Sequence, residues 1–305
     1  MEYYHPNPQS TESAIARLIL RITNRKKGLE KQSIKGDYSD YDCPEPPRSI
    51  TRDLIVETTR ITEWKVLTIR PVKLLSEKTV LFLHGGAYVQ NISKLHWHLV
   101  GQLIRETGCT FVVPDCPLAP AYTYADAFRV VEPHIMRLYG SCDPKNVIFM
   151  GDSAGGGFAL ALAQKMKMEQ AALPGQLILI SPWLDFNLKN PQIPAVESND
   201  LILEAKGLLQ ATRSYAGETD GSQFQLSPIN GLLEGLPLIS LLTGTHDILY
   251  PDCVLLKNLL QGKNIDLNFY EFPKMIHDFP LISFLPEAKA AIGIIANLIS
   301  PQPTA

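Results

Sequence analysis

The chain has 305 residues, 45% hydrophobic and 19% charged, with a formal net charge of -3. That composition fits one large globular α/β domain with an insertion or two, and nothing in the charge suggests nucleic acid: no run of Lys and Arg tracks a phosphate backbone. Arg25-Lys26-Lys27, the densest basic cluster, reads as a solvated helix end. The start, Met1-Glu2-Tyr3-Tyr4-His5-Pro6, lacks a basic segment followed by an apolar stretch, so no secretory signal is expected. The apolar runs are strand-length, well short of the roughly 20 residues of a membrane helix. Five cysteines without C-x-x-C spacing fit free thiols in a reducing compartment, and a cytoplasmic location is expected.

In chain order, residues 11 to 28 predict an amphipathic helix with Ile15, Leu18, Ile19 and Ile22 on one face. Residues 40 to 49 hold Pro44, Pro46 and Pro47 without periodicity and read as a loop. Strands follow at 54–58, 65–69 and 79–83, a helix at 94–107, a strand at 110–113, a helix at 125–139 and a strand at 146–150. After a helix-type run from Gly156 come a strand at 176–180 and an irregular stretch, 186–229, with one helix near 203–213. Alternation resumes with a strand at 238–242, a helix at 253–261, a strand at 267–271 and a helix at 286–299. Strands alternating with helices imply a mostly parallel sheet covered on both faces. The irregular stretch reads as an insertion over that sheet.

Gly151-Asp152-Ser153-Ala154-Gly155 is a G-x-S-x-G pentapeptide between a strand and a helix. That context is what a nucleophile elbow requires: a sharp turn that lifts the serine hydroxyl clear of the sheet, with glycines where side chains would collide. A serine hydroxyl needs a base, and the base an orienting acid. Asp247 and His277 follow in that order, each just past the end of a predicted strand, so all three fall on one edge of the sheet. Asp252 is the rival acid and is expected to cap the helix opening near Cys253. Asp278 adjoins His277, but neighbouring side chains are expected to point apart. His84 and His96 precede the serine, His134 lies inside a helix and His246 adjoins the acid. His84-Gly85-Gly86-Ala87-Tyr88 is a glycine-rich turn after a strand, and its amides can join that of Ala154 to bind an oxyanion. His84 is expected to be a structural hydrogen-bonder there. His96 and His98 read as a helix-surface pair with diverging side chains, so no metal and no organic cofactor is implied.

With Pro117-Leu118-Ala119-Pro120, Gly156 and Ser181-Pro182-Trp183-Leu184-Asp185 added, these motifs resemble the hormone-sensitive-lipase family of α/β-hydrolase carboxylesterases, bacterial type, from about Thr79 to the C-terminus. The resemblance implies an α/β-hydrolase core with an eight-stranded, mostly parallel sheet, helices on both faces and a helical cap. The cap would comprise residues 1–48 and 186–229, and the core 49–185 and 230–305. It implies a serine esterase of short-acyl esters with Ser153, Asp247 and His277 as catalytic residues and Gly85, Gly86, Ala87 and Ala154 as the oxyanion hole. The expected partner is a small-molecule ester, without nucleic acid or a membrane span, and a homodimer is compatible. An amidase or formamidase of the same fold is the alternative, and a non-catalytic ligand receptor a more distant one. The chain departs from the family at Ala87, where a third glycine is usual, at Ile248 after the acid, and at Ala121-Tyr122. Apolar cap residues such as Ile15, Leu18, Leu203 and Leu208 are expected to roof the pocket.

Overall fold

The computed structural model describes residues 1–300 except Asn7, Pro8, Asn24, Thr62 and Asn264. Nine strands form one sheet: β1 (Glu2–Tyr4), β2 (Leu54–Ile61), β3 (Trp64–Pro71), β4 (Thr79–Leu83), β5 (Thr110–Pro114), β6 (Val147–Asp152), β7 (Gln176–Ile180), β8 (Leu238–Gly244) and β9 (Leu267–Phe272), in the order β1-β9-β8-β7-β6-β4-β5-β3-β2. β2 pairs antiparallel with β3, and β3 with β5; every other pairing is parallel. The central strands are continuous apolar runs because both of their faces are covered. In β4, Leu81 and Leu83 enter one core while Val80 and Phe82 enter the other. Helices α5 (Tyr124–Tyr139), α6 (Ser153–Met168) and α9 (Tyr250–Gly262) pack on the first face, and α4 (Lys94–Thr107) and α10 (Pro286–Ile299) on the second.

The ninth strand, one more than the resemblance implied, is β1. It extends the sheet by pairing Glu2, Tyr3 and Tyr4 with Phe269, Tyr270 and Glu271. The first residues therefore lie with the sheet, ahead of α1 (Thr11–Thr23). The predicted helix of residues 11–28 breaks there: α2 (Gly28–Lys35) is separate, and Asn24 lies outside the described residues. The proline-rich loop holds one short helix, α3 (Arg48–Thr51). The insertion carries α7 (Ile193–Glu197) and α8 (Ala205–Ala216). α2 packs on α8, with Leu29 against Gly207 and an ion pair between Lys206 and Glu30. Among the described residues no helix is long and apolar enough to cross a membrane, and all five cysteines are free thiols.

Of the four apolar residues expected to roof the pocket, Leu208 is buried and Leu203 is partly buried. Ile15 and Leu18 are not: they are 54% and 57% exposed. The helix turns its polar residues inward instead, because Ser13 and Ser10 bond the Glu287 carboxylate and Arg17 donates to the Lys274 carbonyl.

Candidate active site

β6 ends at Asp152 and α6 starts at Ser153, so the serine is the pivot between strand and helix. Ser153 has φ +51°, the left-handed region that a non-glycine residue seldom occupies. The glycines beside it have no room for a side chain. A Cβ on Gly151 would lie 2.5 Å from the Gly155 backbone, and one on Gly155 would lie 2.0 Å from the Leu83 carbonyl oxygen. The Trp183 amide of the Ser-Pro-Trp segment donates to the Ser153 carbonyl at 2.9 Å and braces the turn.

Ser153 Oγ lies 2.9 Å from His277 Nε2, and His277 Nδ1 lies 2.9 Å from Asp247 Oδ2. Asp247 is fully buried, with its Oδ1 accepting the Leu249 amide at 2.9 Å. Ser153 and His277 are 5% and 6% exposed, so both are nearly covered. All three residues follow the carboxyl ends of parallel strands β6, β8 and β9. The sequence profile of the alpha/beta hydrolase fold matches residues 80–281.

The chain belongs to the α/β-hydrolase fold family.

A Mycobacterium tuberculosis protein provisionally named acetyl-hydrolase LipR is 33% identical over 75% of this α/β-hydrolase and 74% of its own length. A solved structure, provisionally named an esterase, from Staphylococcus aureus superposes with a TM-score of 0.80 at 27% identity, over 97% of this chain and 95% of that one. An esterase from the bacterial hormone-sensitive lipase family superposes with a TM-score of 0.77 over 83% of this chain and 86% of that one; at 24% identity it carries the fold. These likenesses fall on the same side as the motif resemblance.

Asp278 departs from the sequence expectation. Its Oδ2 lies 3.0 Å from His277 Nε2, the same nitrogen that faces Ser153. The reason is a left-handed backbone, φ +49° at Asp278, which folds the side chain back over its neighbour instead of away from it. Burial, with the charges of Asp152 and Asp247 adding to it, pushes the Asp278 carboxyl up to about 7 against the opposing pull of His277. Burial pulls His277 down, but Asp247 and Asp278 outweigh it and hold the imidazole well above its ordinary value. The Asp278 Oδ1 is buried without a hydrogen-bond partner among the described residues.

His96 is also not a surface residue: it is 7% exposed. The Ser93 amide donates to His96 Nδ1 at 2.9 Å, which leaves Nε2–H to donate to Asp152 Oδ2 at 3.0 Å. Helix α4 is thereby tied to the residue before Ser153. His98, two positions on, is exposed. Burial alone would raise Asp152, but His96 and the Gly85 amide outweigh it and hold the carboxyl below its ordinary value. The Gly85 N–H is thus directed at Asp152. Gly86, Ala87 and Tyr88 all have positive φ, at 118°, 53° and 61°. The turn is held by Val89 and Gln90 amides donating to the Gly86 carbonyl, and by the Ala119 amide of the proline-flanked segment donating to the Tyr88 carbonyl. His84 Nδ1 lies 2.7 Å from the Gly85 carbonyl oxygen, so His84 is a loop hydrogen-bonder, and burial lowers it to about 4.

Asp252 does not cap its helix. It sits in the first turn of α9 and accepts from Asn190 Nδ2 at 2.9 Å, and burial raises it to about 6. It lines a cleft of about 810 Å³ with Asp185, Asn190 and Asn258, and neither Ser153, Asp247 nor His277 lines that cleft. One residue escaped the sequence reading altogether. Asp200, fully buried, accepts the Ile248 amide at 2.7 Å and the Ile202 and Leu203 amides at 2.8 and 2.9 Å, so it fastens the loop that carries Asp247 to its own turn. From α8, Tyr215 stacks on Tyr88 with centroids 4.0 Å apart and ring planes 9° apart, which packs this helix against the glycine-rich loop.

Proposed function

We propose that this α/β-hydrolase is a serine carboxylesterase that cleaves short-acyl esters through an acyl-enzyme on Ser153. His277 Nε2 takes the Ser153 proton as Oγ attacks the ester carbonyl, and then delivers it to the leaving alcohol. Asp247 keeps the other nitrogen protonated and stabilises the imidazolium. The amides of Gly86, Ala87 and Ala154 receive the negative charge of the tetrahedral intermediate, with the N-terminal end of α6 adding its dipole. Water, activated by the same histidine, hydrolyses the acyl-enzyme. The reading rests on one observation above the rest: the unbroken hydrogen-bonded chain Ser153–His277–Asp247 at the carboxyl edge of the sheet.

Small acyl groups are favoured by the near-complete burial of Ser153, by the Tyr88–Tyr215 stack and by the Ala87 methyl beside the oxyanion amides. The acetyl-hydrolase name of the LipR relative points the same way. Each added methylene gains only about 0.8 kcal/mol while the pocket lasts. A p-nitrophenyl ester series should therefore peak at about two to six acyl carbons and then decline. A rate that climbs through about twelve carbons refutes the short-acyl assignment. Ser153→Ala should abolish turnover by several orders of magnitude with the fold intact, and a phosphonate should label Ser153 alone. Robust activity in that variant, or label elsewhere, refutes the nucleophile. Matched amides tested beside the esters separate the amidase alternative.

A further inference from the structure

The outer face of α1 carries Ile15, Leu18, Ile19 and Ile22, which are 54%, 57%, 54% and 74% exposed. Their spacing, i, i+3, i+4 and i+7, makes one continuous aliphatic stripe. A helix packed on a globular protein normally turns such a stripe inward, and α1 does the reverse. Its inward face is Ser13, bonded to Glu287, and Arg17, bonded to His246 and the Lys274 carbonyl, with Ala16 and Leu20 packed beside them. Polar anchors hold the helix down so that its aliphatic side faces out.

A second feature of this segment is its charge. Residues 11–35 hold seven Lys and Arg against two Glu, in a chain whose overall charge is -3. Arg21, Lys27, Lys31 and Lys35 are exposed. An aliphatic stripe followed by cations is the composition of a helix that lies in the boundary of an anionic bilayer, with side chains in the acyl region and cations among the headgroups. A second copy of the chain fits the same face less well, because a two-fold contact would set the basic segment against itself.

We propose that α1 and the basic segment after it form a peripheral docking surface for an anionic lipid bilayer. Through Arg17 the helix rests on the loops that carry Asp247 and His277, so docking would bring the catalytic edge of the sheet close to the membrane. The bilayer is here a location, and the proposal does not depend on which ester is hydrolysed.

The test is co-sedimentation of the full chain with phosphatidylcholine vesicles containing about a quarter phosphatidylserine, beside vesicles of phosphatidylcholine alone. The wild type should bind the anionic vesicles at least about tenfold better, and about 1 M salt should strip most of it off. The double variant Leu18→Gln, Ile22→Gln should lose at least about tenfold in bound fraction. Its turnover of a soluble short ester should match the wild type, which shows that it is folded. No binding by the wild type, equal binding to both vesicles, or full binding by the double variant overturns the proposal. So does a concentration-dependent dimer that the double variant abolishes, which would make the stripe a contact between copies.

Discussion

Replacing Asp278 with Asn removes one carboxylate from the reacting nitrogen of His277 and leaves the backbone undisturbed. Asn tolerates the left-handed conformation at φ +49° as well as Asp does, so the change is chemical and not conformational. With Oδ2 at 3.0 Å from Nε2, the charge centres lie about 4 Å apart. At an effective dielectric of about 20, full ionisation of both groups would be worth about 4 kcal/mol, or about 3 pKa units on the imidazole. Asp278 is not fully ionised, because burial beside Asp152 and Asp247 raises it to about 7. The expected displacement is therefore smaller, about one to two units. The sign is fixed by the mechanism. His277 acts as a base only when neutral, and its raised value places the acid limb of kcat/KM above the ordinary histidine range in the wild type. Asp278→Asn should move that limb to lower pH while the plateau stays within a few-fold. The assay is kcat/KM for a soluble p-nitrophenyl ester from about pH 5 to 9, with circular dichroism to verify folding. An unmoved limb, or one that moves upward, refutes the argument that Asp278 loads the catalytic base with a proton.

Asp247→Asn should lower kcat by on the order of 10⁴ by admitting the wrong histidine tautomer, whereas Asp252→Asn should leave kcat unchanged; steady-state kinetics of both variants decide between the two acids. Asp252→Asn should instead alter stability with pH. The folded protein holds the Asp252 proton more tightly than the unfolded chain, so the native residue costs stability as pH rises from 3.8 through about 6. The variant should melt about 2 °C higher than the wild type at pH 8 and at the same temperature near pH 4, measured by scanning fluorimetry. Gly155→Ala drives a Cβ to within 2.0 Å of the Leu83 carbonyl oxygen, between a central strand and a buried helix. It should destabilise by more than about 3 kcal/mol, read as a fall in the urea midpoint.

Local patterns carried most of the fold and the core of the site. The elbow is a contiguous strand–turn–helix, and Ser153, Asp247 and His277 sit just past strand ends that hydrophobic runs mark. What escaped has physical causes. β1 is three residues long, too short to show a period, and its pairing partner lies at the other end of the chain. The His96–Asp152 contact joins residues 56 positions apart, and nothing in the His-Trp-His segment announces it. Asp278 was misjudged because a left-handed residue reverses the usual divergence of neighbours, and Asp carries no sequence mark of that conformation. Periodicity identified the stripe on α1, but a moment has no origin: it says that one side differs from the other, not which side meets the protein. The inward anchors, Ser13 on Glu287 and Arg17 on Lys274, involve residues more than 250 positions away.

The short strand β1 has a consequence for the behaviour of the folded protein. It covers the backbone of β9, Leu-Asn-Phe-Tyr-Glu-Phe, which would otherwise be the sheet's open margin. An uncovered strand with three aromatic residues is a template for pairing with another chain. A trim of about half a dozen N-terminal residues should leave every group around Ser153 in place and expose that strand, and light scattering should then show more strand-to-strand assembly than in the full chain. On that reasoning the pairing of Glu2, Tyr3 and Tyr4 with β9 shields the strand from another chain, and any fusion ahead of Glu2 should preserve it.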